Sequence, residues 1–183
     1  MYVNSPEDKQ ERLHSKAIAH MNQCKNLDEF YDILFLVEDT LIKANSLVLS
    51  ARCPYFKSML SSKYMFRESK KEGGFVKVQG VPKSYFSCII QYIYSDHFYI
   101  QRQEPEFYVK LLIFADYFML PRLIDICASY LKGFVNLKTV LNLYLLAHAH
   151  NAEQLEQFCV NFIAMREQEI VESRQFRLFK RKA

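Results

Sequence analysis

YDILFLVEDTLIKANSLVLSARCPYFKSML, residues 31–60, decides the fold. The apolar run DILFLV at 32–37 shows no alternation and predicts a buried strand. Glu38-Asp39 is a two-residue acidic turn, without the Gly favoured in such hairpins, leading into a second strand over 40–44. Asn45 or Ser46 can cap a helix over 47–51. Pro54 then takes a first helical position, and Tyr55, Phe56, Met59 and Leu60 follow on one face. Cys53 stands where a Ser would accept a backbone N–H; a cysteine does this poorly, at a cost of about 1 kcal/mol. Ile33, Phe35, Leu49 and Phe56 form the expected inner face. Nothing in the stretch is equipped for catalysis, so its role is to hold a shape.

Downstream, residues 61–74 are polar apart from Tyr64, Met65 and Phe66. FVKVQ at 75–79 alternates as a third strand. A helix over 84–94 turns Phe86, Ile89, Ile90 and Ile93 inward. Residues 95–106 are a connection with room for a short strand at 98–100. The segment 107–119 is helical and apolar nearly all round, hence central, and Pro121 breaks it. A helix over 123–132 reaches a joint at Gly133 and Asn136. Beyond it, 140–150 and 153–167 predict a helical hairpin whose second arm buries Leu155, Phe158, Cys159, Phe162 and Ile163. Asn136 or Thr139 can cap the first arm.

Upstream, residues 1–12 are polar and expected to be flexible. Leu13, Ala17, Ile18 and Met21 then make one narrow stripe on a helix. Either that stripe packs on its own domain, or a second copy of the chain covers it. Strands early and helices late give an α+β fold: a small three-stranded sheet flanked by helices, then an α-helical hairpin. The expected divisions are 1–12, 13–133 and 134–183.

Composition narrows the function. Half of the 183 residues are hydrophobic and 15% aromatic, enough for a sizeable core. A net charge of +4 is modest and does not by itself suggest nucleic acid, which shows as a clustered basic face, so a nucleic-acid partner is not expected. Five widely spaced cysteines, none paired as C-x-x-C, and a polar N-terminus without a signal peptide point to a reducing compartment, cytoplasmic or nuclear. No apolar run approaches the roughly 18 residues of a membrane span.

Chemistry finds little purchase. His148 and His150 are two apart on a helix and point to different faces, so with Cys159 they do not converge on a metal. Cys53 beside Pro54 has no His near it in sequence and reads as a structural thiol. Its place at a helix N-terminus would nevertheless lower its pKa and sensitise it to electrophiles. Four glycines supply no phosphate cradle. No catalytic group, metal or cofactor is expected. The tail RQFRLFKRKA reads as the amphipathic end of a helical region, or as a nuclear-import or acidic-surface patch.

The order of residues resembles the BTB/POZ domain family. The matching positions are Asp32, Ile33, Ala44, Leu47, Leu49, Ala51, Arg52, Tyr55 and Phe56. They continue through Val76 and Val78, Phe86, Tyr92-Ile93-Tyr94, Leu111-Leu112, Ala115-Asp116-Tyr117, Leu123, Cys127 and Tyr130-Leu131. Residues 136–167 resemble the start of the BACK, or 3-box, helices that often follow, and LLAHAHNAEQLEQFC is similar to that region in Rho-related BTB proteins.

The resemblance implies a non-enzymatic interaction module. It implies a homodimer through the first helix, with Leu13, Ala17, Ile18 and Met21 at the interface. It also implies a substrate adaptor that docks the N-terminal region of cullin-3 in a ubiquitin ligase and carries an unidentified substrate protein. The family's hydrophobic-x-Glu triplet is matched by Phe66-Arg67-Glu68. The implied cullin-binding set is Met65, Phe66, Glu68, Tyr55, Phe98 and Tyr99. Phe66 could instead tuck onto its own domain. The helical pair beyond 136 would grip an N-terminal extension of the cullin. The alternative is a homo-oligomerising or transcription-linked scaffold with no ligase role.

Two departures bear on that choice. Asn45-Ser46 stands where the family has a His-Arg/Lys pair, and Cys53 where it has a Ser. Asp32 therefore lacks the basic neighbour of the family's charged pocket, which weakens a corepressor role, and it needs another partner if buried.

Overall fold

The computed structural model describes residues 31–61, 74–97, 104–172 and 176. The chain divides into two compact units, Met1–Ile100 and Gln101–Ala183. The expected joint at Gly133 lies inside the second.

The first unit holds a sheet of order β2-β1-β3. Its strands are β1 (Ile33–Val37), β2 (Thr40–Ala44) and β3 (Val76–Val78). The β1–β2 hairpin is antiparallel, pairing Ile33 with Ala44 and Val37 with Thr40. β3 lies parallel to β1 on its other side, pairing Phe35 with Val76. The unalternating run thus becomes the central strand, yet its two faces differ. Ile33, Phe35 and Val37 are buried, whereas Leu34 and Leu36 are only half-buried. Glu38 closes the hairpin at φ +52°, the left-handed conformation that a Gly would adopt without cost.

Among the described residues, helices α1 (Ser46–Arg52), α2 (Pro54–Met59) and α3 (Lys83–Ser95) belong to the same unit. Asn45 caps α1: its side-chain oxygen accepts from the Val48 N–H at 3.0 Å. Pro54 opens α2 without a side-chain hydrogen bond from Cys53 at the N-cap, as the weak capping power of sulfur leads one to expect. The core centres on three fully buried rings, Phe35, Phe56 and Phe86. Their centroids lie 5.3 to 6.3 Å apart, tilted or edge-on as ring quadrupoles prefer. Leu49, Ile89 and Ile93 are buried in the same unit.

The second unit is helical. It comprises α4 (Pro105–Tyr117), α5 (Pro121–Lys132), α6 (Val140–Ala149), α7 (Glu153–Met165) and α8 (Glu167–Glu172). Pro105 and Pro121 each open a helix, where the missing N–H goes unused. α4 packs on α5, α6 on α7, and α7 also on α5. Leu111, Leu112, Ala115, Leu123, Cys127 and Leu131 are buried.

The reading of α7 needs correction. Leu155 and Cys159 are buried, but Phe162 and Ile163 are half-buried and Phe158 is 40% exposed. At 3.6 residues per turn Phe158 lies about 60° round the axis from Leu155, at the edge of the stripe rather than its centre. No helix among the described residues is long and apolar enough to cross a membrane.

Candidate protein-interaction site

The loop between β2 and α1, which carries Asn45 and Ser46, is tied down by polar contacts. The Ser46 N–H donates to Asp32 Oδ1 at 2.6 Å, and the Ser46 hydroxyl donates to Asp32 Oδ2 at 2.5 Å. Asp32 is exposed, so it carries no burial penalty, and Ser46 supplies the partner that its position called for. One position earlier, the Asn45 N–H donates to the Tyr94 hydroxyl at 2.6 Å, fastening the loop to α3. Burial raises the Tyr94 phenol above its ordinary value, and the neighbouring Asp32 charge adds to that effect.

Further along, Arg52 at the end of α1 pairs with Asp96, which caps α3 at φ +56°. Both side chains are mostly shielded, at 19% and 18% exposure. Between them in sequence, Cys53 is 1% exposed, and its burial pushes the thiol up rather than down. This agrees with the structural reading of Cys53 and goes against the residual idea of an activated thiol, since desolvation outweighs the backbone N–H groups of Phe56 and Tyr55.

Of the residues expected to bind a cullin, Tyr55 is described. It is half-buried on α2, with its ring edge-on to Phe56 at 5.5 Å. Met65, Phe66, Glu68, Phe98 and Tyr99 lie outside the described residues, as do Leu13, Ala17, Ile18 and Met21 of the expected dimer interface.

In the second unit the helical pair α6–α7 leaves apolar side chains uncovered, with Leu145 at 45%, Phe158 at 40% and Met165 at 83% exposure. His148 and His150 engage different carboxylates, Glu156 at 2.9 Å and Asp116 at 3.0 Å. Among the described residues no group of His, Cys, Asp and Glu is arranged to hold a metal ion.

Sequence reasoning did not single out Tyr94, Asp96 or His150 as partners of Asn45, Arg52 and Asp116. Each contact spans dozens of residues and leaves no periodicity. The one local signal was Asp96 just after a helix, a residue type that tolerates the left-handed cap.

A three-stranded mixed sheet flanked by short helices, then a helical bundle with uncovered apolar side chains, is the architecture of a protein-interaction module. The chain belongs to the BTB/POZ domain family, whose sequence profile matches residues 21–135. It is 27% identical over 149 residues to human BTB/POZ domain-containing protein 9, covering 81% of this chain. It is 26% identical over 149 residues to Kelch-like protein 38 of Danio rerio, again over 81% of this chain. The chain spans only 24% of the length of either relative. Among solved structures, the BTB domain of zebrafish PATZ1 superposes with a TM-score of 0.52 at 19% identity, over 73% of this chain and 99% of that one. At that identity the likeness concerns the fold.

Proposed function

We propose that this chain is a homodimerising substrate adaptor that docks cullin-3 in a ubiquitin ligase. The observation that carries this reading is the helical pair α6–α7, which follows the BTB region directly and leaves Leu145, Phe158 and Met165 uncovered. Such a pair offers a groove to an extended or helical apolar segment. The likeness to a Kelch-like protein agrees with it. In this reading Phe66 is the apolar anchor and Glu68 steadies its loop, with Met65, Tyr55, Phe98 and Tyr99 around them. Leu13, Ala17, Ile18 and Met21 form the dimer seam. Asp32 is engaged by Ser46, at the position where the resemblance expects a basic residue, and this disfavours the transcription-linked alternative. A cytoplasmic or nuclear setting is supported by five widely spaced cysteines with no C-x-x-C pair.

The test is calorimetry with the cullin-3 N-terminal domain. Phe66→Ala combined with Glu68→Lys is expected to weaken binding at least tenfold, about 1.4 kcal/mol, without unfolding the protein. Absence of binding by the unmutated chain would end the proposal.

A further inference from the structure

Asp116 stands in the last turn of α4 and uses both carboxylate oxygens on two consecutive residues of a distant turn. Oδ2 accepts from His150 Nδ1–H at 3.0 Å, and Oδ1 accepts from the Asn151 side-chain amide at 3.2 Å. His150 caps the end of α6, and Asn151 turns the chain toward α7 at φ +55°. Asp116 and His150 are largely shielded, at 29% and 25% exposure, so water competes for this contact less than at an open surface. Elsewhere the helical pair is held mainly by apolar burial, with Ala147, Ala152, Leu155 and Cys159 all at 0% exposure. Apolar contact is non-directional and tolerates sliding, whereas a bidentate carboxylate fixes an angle. Another polar tie among the described residues, from Lys132 Nζ to Gln154 Oε1 at 3.4 Å, is exposed and long.

We infer that Asp116 is a positioning residue: it fastens the turn of the α6–α7 pair to α4 and thereby sets how the pair presents its uncovered apolar residues to a partner. This rests on the cullin-adaptor reading above. Its test is calorimetry on the full chain with two forms of the cullin-3 N-terminal domain, with and without the N-terminal extension, alongside hydrogen exchange. Asp116→Ala is expected to lose at least fivefold in affinity for the extended form and less than twofold for the truncated form. Asp116→Asn keeps an oxygen acceptor and an amide at the same place and should restore most of the loss. Asp116→Ala with His150→Ala should be no worse than Asp116→Ala alone. Amides of the α6–α7 turn should exchange faster in Asp116→Ala than in the unmutated chain. Equal losses for both cullin forms with no recovery in Asp116→Asn, or no change in either exchange or affinity, would overturn the inference. If the unmutated chain binds neither form, the adaptor reading fails by itself. The exchange difference then decides whether Asp116 fastens the turn at all.

Discussion

The Asp32 carboxylate receives two hydrogen bonds from a single residue, Ser46, one from its backbone N–H and one from its hydroxyl. The two residues are 14 apart, at the start of the hairpin and the first turn of α1, so this contact closes the sheet onto the helix that follows it.

Ser46→Ala removes one of the two bonds and leaves the backbone bond in place. The expected cost is about 0.5–1 kcal/mol, because an exposed bond exchanges partly with water. Urea titration followed by far-UV circular dichroism measures it. A loss above about 2 kcal/mol would mean that the hydroxyl supports more of the corner than its exposure indicates.

Glu38 sits at φ +52° at the tip of the β1–β2 hairpin. A left-handed backbone costs an L-residue about 1–2 kcal/mol. Replacement by Gly relieves this but gives the unfolded chain more freedom. The net expectation for Glu38→Gly is a gain of about 0.5–1 kcal/mol, read as a higher urea midpoint at unchanged slope. A lower midpoint would contradict it.

Burial pushes the Cys127 thiol from about 9 to about 12 and the Cys159 thiol to about 11. The unfolded chain gives up these protons first. Above about pH 9 it therefore binds fewer protons than the folded chain, and stability falls as pH rises. The contribution of Cys127 is complete below pH 9 and lost by about pH 12. The slope reaches at most about 1.4 kcal/mol per pH unit for that thiol. Unfolding at pH 8 to 10.5 should show a shallower decline in Cys127→Ala, once its lower starting stability is subtracted. Parallel curves would contradict the assignment.

Thiol labelling separates the cysteines. Cys53, Cys127 and Cys159 are at most 1% exposed, whereas Cys88 is half-buried on α3. In a Cys24→Ser background, native-state labelling followed by peptide mapping should modify Cys88 well before the other three. Faster labelling of Cys53 would restore the activated thiol that its burial now rules against.

The hairpin, α1, α2 and the later helices were legible because each is specified by neighbours in sequence. Pro54 marks a first turn, Asn45 supplies a cap, and Phe86, Ile89, Ile90 and Ile93 repeat at helical spacing, whereas Pro105 and Pro121, read as part of a connection and as a breaker, each open a helix. Phe158 was misplaced because a stripe read from spacing has no edges. Only packing decides which of its residues meet a neighbour and which meet water. The expected cullin-binding residues Met65, Phe66 and Glu68 rest on residue order alone, since they lie outside the described residues.

The sequence by itself determined the elements, their order and the family, because hydrophobic period, capping and turn chemistry act over a few residues. The tertiary structure alone decided that β3 runs parallel to β1, that Ser46 serves Asp32, and that Asp116 reaches His150 across 34 positions. Such contacts form only once the chain has closed long loops and fixed the directions of distant side chains. No local pattern encodes those directions, and hydrogen bonds depend on them.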